Sequence, residues 1–260
     1  VVKKYCEDTT YMRPVNYKNY IPNIDEVKGL DNKYKLNKIF IVDYSFTSAT
    51  LDQIKNILEE GYSIVWIDHH QSSLSVKEEL NKYKNLEMII DINFCGAINT
   101  YKYFKNDEIP YYLKLVDSWD TWKHFDPNDY PFKLFFDIKS YSDTINLFVK
   151  MLKMPNEEAY LIIDEYIEKG KLIEEYAESI YNSDQKRAFE VVLNDYHIIV
   201  INSSMKSSLL FGDLLKDYDC GIAYHFDGSK YSYSIYTIKD IDVSKIAEMY
   251  GGGGHQGAAG

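Results

Sequence analysis

The fold of this chain is decided by residues 62–70, YSIVWIDHH, in which a short apolar run ends in one aspartate and two histidines. A run of this length predicts a strand buried on both faces of a parallel sheet. A single histidine at a strand end is more often structural than functional. His69 and His70 are consecutive, however, so strand alternation would send them to opposite faces, where each needs a polar partner. Asp68-His69-His70 therefore indicates a metal-binding or catalytic site.

A second continuous apolar run, in residues 38–46, precedes this one and is terminated by Asp43. An amphipathic helical pattern separates the two runs, and strand-helix-strand order predicts parallel neighbours with a right-handed crossover. Asp43 and Asp68 would then lie at the carboxyl ends of adjacent strands, the edge where open α/β sheets bind ligands. Carboxylate and imidazole donors suit manganese, iron or zinc better than calcium. Two such ions can clamp the attacking and leaving oxygens of phosphoryl transfer.

A third acidic feature follows in residues 115–122, LVDSWDTW. Asp117 and Asp120 are three residues apart, which places them on one face of a helix. Two adjacent carboxylates are unfavourable without a cation, so we expect at least one of them to meet a metal or a basic side chain. The alternative is a helix end with solvated aspartates and core tryptophans.

The chain closes on four glycines, Gly251–Gly254, and His255. Successive glycines allow backbone amides to converge on an anion, so the run predicts a phosphate-binding loop. The alternative is a flexible linker. A linker would seldom follow a helical segment directly and continue as residues 256–260, QGAAG.

The pattern of elements predicts an α/β protein of two domains. Residues 1–150 carry the parallel-sheet pattern, residues 151–190 a charged helical connector, and residues 191–260 a smaller mixed α/β domain. We expect the active site in the cleft between the two domains, where ligand sites often form.

Composition narrows the class of function. A net charge of −11 argues against binding of long nucleic acid but not against a short nucleotide held by metal ions. No apolar stretch is long enough for a membrane span, and no secretory signal opens the chain. Three cysteines without paired spacing predict reduced thiols in the cytoplasm.

These motifs resemble the DHH phosphoesterase superfamily with its DHH-associated C-terminal domain. The resemblance implies that Asp43 is a bridging metal carboxylate and that His69 is a metal ligand. It implies that His70 faces the scissile phosphate, and we name His70 and Asp68 as catalytic. Asp120-Thr121-Trp122 matches the family's fourth metal motif better than Asp117 does, although both aspartates are kept as candidate ligands.

The resemblance extends to the C-terminal segment. Residues 242–247, DVSKIA, and the glycine run resemble the family's nucleotide-gripping signature. Gly252, Gly253, Gly254 and His255 are therefore expected to bind substrate. Tyr236 stands where the family usually has an arginine, which removes a bidentate phosphate contact. The tyrosine would stack on a base or hydrogen-bond one oxygen instead.

The family opens with a strand carrying a His-x-Asp-x-Asp-type motif, and the first residues here, VVKKY, do not contain it. We therefore expect a longer native protein, of which this chain has an incomplete metal site.

The implied function is a manganese-dependent phosphodiesterase that hydrolyses short oligonucleotides or dinucleotides to mononucleotides. The manganese could be replaced by magnesium or another divalent ion. The implied partner is short single-stranded nucleic acid, RNA or DNA, linear or cyclic; no membrane is expected and a homodimer is left open. One alternative is a non-catalytic nucleotide-binding protein. The other, a manganese pyrophosphatase, is disfavoured by the glycine-rich ending.

Overall fold

The computed structural model describes Val2 and residues 11–15, 21–46, 48–205 and 207–260; the side chains of Ser48, Ala49 and His255 lie outside that description. The chain divides into two compact units, Val1–Lys171 and Leu172–Gly260. The division falls inside one long helix, within the segment predicted as a connector. The predicted domain limits and the cleft between the domains stay predictions, and the first ten residues, apart from Val2, lie outside the described residues.

The described part of unit 1 combines a small sheet with many helices. In chain order its elements are α1 (Ile24–Tyr34), β1 (Ile39–Val42), α2 (Ser48–Glu59), β2 (Ile64–Asp68), α3 (Ser73–Leu80), β3 (Leu86–Ile90), α4 (Gly96–Phe104), α5 (Tyr111–Asp120), α6 (Asp129–Asp137), α7 (Tyr141–Met151) and the first half of α8 (Asn156–Gln185).

The strands of unit 1 form a parallel sheet in the order β1-β2-β3. Val42 pairs with Ile67, and Asp68 pairs with Ile90. Strand β2 is buried along its whole length, which explains its unbroken apolar sequence. The predicted strand-helix-strand unit is confirmed, because α2 connects two parallel neighbours. Asp43 and Asp68 consequently lie at the carboxyl edge of the sheet.

Helices α4 to α8 pack on a core of their own, rich in aromatic side chains. A Cβ atom on Gly170 would lie 1.8 Å from the carbonyl oxygen of Pro131, so only a glycine lets α8 approach α6 this closely. Among the described residues, no helix is long and apolar enough to cross a membrane, even though α8 has 30 residues.

Unit 2 contains a six-stranded mixed sheet and one short α-helix among its described residues. Its elements are the second half of α8, β4 (Phe189–Leu193), β5 (Tyr196–Asn202), two 3₁₀ turns (Ser208–Leu210 and Gly212–Lys216), β6 (Cys220–Phe226), β7 (Tyr231–Tyr236), α9 (Val243–Glu248), β8 (Gly254–His255) and β9 (Ala258–Ala259). The strand order is β4-β5-β6-β7-β9-β8, and only β5 and β6 are parallel. The two α/β units confirm the predicted fold class.

Candidate active site

Asp43 leaves strand β1 in a left-handed backbone conformation, with φ of 55°. Its amide donates a hydrogen bond to the carbonyl of Ile67 at 2.9 Å, so the residue is still tied to β2. A Cβ atom on Gly96 would lie 2.8 Å from both Cβ and Oδ1 of Asp43. The first residue of α4 therefore has to be a glycine for the Asp43 carboxylate to hold this position.

Replacing Gly96 by alanine is expected to displace the Asp43 carboxylate and to lower Mn²⁺ affinity about tenfold or more, the cost typical of misplaced ligands. Titration calorimetry with Mn²⁺ measures this directly. Gly29→Ala is the matched control, because a Cβ atom there meets nothing within 4 Å. Unchanged affinity in a folded Gly96→Ala protein would show that Asp43 does not depend on this contact.

His69 lies between two carboxylates. Its Nε2 is 3.1 Å from Oδ1 of Asp43 and 3.4 Å from Oδ2 of Asp120, and the ring is 12% exposed. The hydrogen bond to Asp43, assisted by the charges of Asp120 and Asp43, raises the pKa of His69 despite its burial. Burial and the charge of Asp43 raise the pKa of Asp120, although its side chain is still 44% exposed and partly screened by solvent. The site attracts positive charge.

One ligand atom each from Asp43, His69 and His70 can be chosen so that all lie within 4.8 Å of one another. We call these three residues the Asp-His cluster. Its carboxylate and imidazole donors suit a first-row divalent ion such as manganese. The electrostatics agree, since neighbouring carboxylates are stabilised by a cation. The residues present thus fit a divalent metal.

His70 is oriented by a fully buried carboxylate. Its Nδ1 is 2.8 Å from Oδ1 of Asp68, and Oδ2 of Asp68 accepts a hydrogen bond from the hydroxyl of Ser73. Burial opposes ionisation of Asp68, but the hydrogen bonds from His70 and Ser73 outweigh it and lower the pKa of Asp68. The interaction with Asp68 in turn raises the pKa of His70. Because Nδ1 is engaged with Asp68, contact of His70 with a metal or substrate would have to be made through Nε2.

Sequence reasoning missed the serines that support this pair. Ser73 is fully buried, and its hydroxyl lies 3.0 Å from that of Ser45, which is 2.6 Å from the hydroxyl of Ser72. A serine at the start of a helix is usually taken as a cap. The one available signal is that Ser73 begins the helix directly after the Asp68-His69-His70 motif.

The two aspartates of α5 have different partners in the structure. Asp120, the last residue of the helix, lies beside His69. Asp117 is buried, accepts the amide of Cys95 at 2.5 Å and pairs with Nζ of Lys123 at 3.2 Å. The expected cation partner of Asp117 is therefore a lysine, whereas Asp120 is placed near the Asp-His cluster. Metal binding by either residue stays a prediction.

The glycine run packs against backbone. The amides of Gly251, Gly252 and Gly253 donate to the carbonyls of Glu248, Ala247 and Gly260. A Cβ atom added to Gly252 would lie 2.5 Å from the carbonyl oxygen of Gly260. A Cβ atom added to Gly254 would lie 2.5 Å from Cα of Ala259. Close packing is thus a sufficient reason for Gly252 and Gly254, whereas a Cβ atom on Gly253 would meet nothing within 4 Å. Substrate binding by Gly252, Gly253 and Gly254 stays a prediction.

The two remaining candidates also lie in unit 2. Tyr236 is 9% exposed and packs near Phe211 at 6.0 Å between ring centroids, so little of its ring is open to a base. Burial raises the pKa of its hydroxyl. The side chain of His255 lies outside the described residues. Contact of either residue with substrate stays a prediction.

Fold and site together define an α/β protein with carboxylates and imidazoles at the carboxyl edge of a parallel sheet. No family model matches the chain. The chain is similar to oligoribonuclease NrnB of Bacillus subtilis, with 24% identity over 233 residues. This distant homology supports membership of a DHH-like superfamily. That match covers 85% of this chain and 58% of the relative.

Two further similarities complete the comparison. An uncharacterized protein of Acanthamoeba polyphaga mimivirus is 27% identical over 240 residues, which cover 88% of this chain and 54% of that protein. The chain therefore spans somewhat more than half the length of both relatives. Among solved structures, an exopolyphosphatase-related protein from Bacteroides fragilis matches over 97% of this chain and 74% of its own. Its TM-score of 0.36 and 14% identity are too low to argue from.

Proposed function

We propose that this protein is a manganese-dependent phosphodiesterase that hydrolyses short oligonucleotides or dinucleotides to mononucleotides. The observation that carries the proposal is the Asp-His cluster, whose ligand atoms lie within 4.8 Å of one another at the carboxyl edge of a parallel sheet. Similarity to an oligoribonuclease supports the same class of reaction.

Each residue of the site would have a distinct role. Asp43, His69 and Asp120 would hold the ions. When bound, such ions lower the pKa of a coordinated water and stabilise charge on the attacking and leaving oxygens. His70, held through Nδ1 by Asp68, would place Nε2 against a phosphate oxygen. Because the Asp68 carboxylate is fully buried and ionised, it keeps the imidazole in one orientation.

The net charge of −11 favours short substrates over long ones, because extended nucleic acid needs a basic surface. We propose short single-stranded nucleic acid or a dinucleotide as the partner. The described cysteines, Cys95 and Cys220, are both buried and unpaired with each other, which is compatible with a reducing, cytoplasmic location.

The test is hydrolysis of a 5′-phosphorylated RNA dinucleotide by the full native chain, with and without Mn²⁺. We expect mononucleotides to appear only with the metal. Pyrophosphate is assayed in parallel, and preferential release of phosphate from pyrophosphate would favour the pyrophosphatase alternative. Nucleotide binding without any turnover would contradict the enzyme proposal and indicate a non-catalytic nucleotide-binding protein.

A further inference from the structure

Trp122 ends a stack of aromatic rings at the protein surface. Its ring lies 6.1 Å from that of Trp119, centroid to centroid, at an interplanar angle of 26°. Trp119 stacks in turn on Tyr130 at 4.9 Å and 20°. Tyr130 is buried, whereas Trp122 is 58% exposed. The stack therefore runs from the core to an indole with open surface.

The backbone holds Trp122 in this place at a conformational cost. Its φ is 55°, a left-handed value that is a clear outlier for a bulky residue, and His124 follows with φ of 44°. Such strain persists only where the surroundings enforce it, and it is concentrated at functional sites. A tryptophan held in a strained conformation and left exposed is poorly explained by packing alone.

The loop that carries Trp122, residues 121–124, is held by hydrogen bonds to the two helices beside it. His124 donates its amide to the carbonyl of Ser118 at 3.0 Å, and its Nδ1 lies 3.1 Å from the buried Asp129. The hydroxyl of Ser118 donates to the same carboxylate at 2.6 Å. These contacts fix the loop against α5 and α6, so the exposed indole is presented on a rigid support.

The position of this indole relates it to the metal site. Trp122 follows Asp120 by two residues, and its amide donates to the carbonyl of Trp119 at 3.1 Å. Asp120 in turn lies 3.4 Å from His69. Trp122 is thus two residues in sequence from a carboxylate that contacts His69, one of the residues proposed to surround the scissile phosphate.

We propose that Trp122 is a stacking platform for a nucleobase next to the scissile phosphate. This inference rests on the proposed phosphodiesterase function and specifies how the substrate is held. Every base offers a flat π-face, so a single indole binds bases with little sequence preference. The site would thus distinguish a nucleotide from a phosphodiester without a base.

Binding is tested first, by titrating the full native chain with adenosine 5′-monophosphate and, separately, with ribose 5-phosphate. We expect only the nucleotide to quench tryptophan fluorescence, because only its base stacks. Trp122→Ala should lose the quenching and bind the nucleotide about tenfold or more weakly, within the range for loss of one stacking contact. Trp122→Phe should lose the quenching but keep part of the affinity. Equal binding of the two phosphates by the wild-type protein would overturn the proposal.

Hydrolysis then separates this inference from the proposed function. The substrates are a dinucleotide and two analogues in which an abasic residue replaces one nucleoside or the other. Trp122→Ala should raise KM for the dinucleotide and have no effect on the analogue that lacks the stacked base. Tyr176→Ala, at a residue 67% exposed on α8, is the control and should behave as wild type. If wild type cleaves the dinucleotide and Trp122→Ala has the same KM, the platform is refuted while the phosphodiesterase stands.

Discussion

Replacement of His69 by alanine is expected to abolish metal-dependent hydrolysis. The side chain contacts both Asp43 and Asp120, so its loss removes a nitrogen donor from between two carboxylates. Mutation of residues that merely orient a metal ligand costs about 10- to 100-fold, and we expect loss of His69, the proposed direct ligand, to exceed the upper value. The measurements are Mn²⁺ affinity by calorimetry and the rate of dinucleotide cleavage.

His197→Ala is the matched control for this variant. His197 is exposed on strand β5 of unit 2 and is not one of the proposed site residues. We expect the metal affinity and the cleavage rate of the His197→Ala protein to equal those of the wild-type protein. If His69→Ala folds and still binds Mn²⁺ with wild-type affinity, the Asp-His cluster is not the metal site.

The second large effect is expected from Asp68→Asn. The carboxylate accepts hydrogen bonds from His70 and Ser73, and an amide nitrogen in place of one oxygen would meet a donor. Loss of the buried charge and of one hydrogen bond should lower the free energy of unfolding by about 2 kcal/mol. Hydrolysis should fall by about a hundredfold or more, because the imidazole loses its fixed tautomer and orientation.

Asp129→Asn separates these two effects. Asp129 is also a buried carboxylate bonded to a serine hydroxyl and a histidine Nδ1, those of Ser118 and His124. We expect both variants to lose similar stability in thermal unfolding, but only Asp68→Asn to lose most of its kcat at saturating dinucleotide. Asp129→Asn loosens the support of Trp122, so its effect on hydrolysis should be confined to a higher KM. A ¹⁵N spectrum of the His70 ring should report the changed tautomer. If Asp68→Asn and Asp129→Asn lost equal turnover, the role of Asp68 would be structural only.

Much of the site followed from local sequence. The apolar runs before Asp43 and Asp68 are continuous because the strands of a parallel sheet are covered on both faces. The helix between them predicts a parallel pairing, which brings the ends of both strands to one edge. These two facts place the carboxylates and His69 together without any knowledge of side-chain contacts.

Other features depended on contacts between distant segments. Helical spacing put Asp117 and Asp120 on one face, but only the fold showed that Lys123 and the Cys95 amide engage Asp117 while Asp120 reaches His69. The serine network has the same origin, because Ser45 and Ser73 are 28 residues apart along the chain. Sequence periodicity reports which face a residue occupies, not which partner it meets there.

The run Gly251–Gly254 is another feature whose role depends on contacts between segments. A run of four glycines predicts backbone freedom, and the sequence alone cannot distinguish an anion loop from close packing, since both require the absence of Cβ. The structure shows the packing, with Gly252 and Gly254 against the last residues of the chain. The sequence by itself thus determined the strands, their parallel order and the acidic edge, because these depend on local periodicity. Only the tertiary structure decided which carboxylate meets His69 and which tryptophan remains exposed, because those depend on residues brought together by folding.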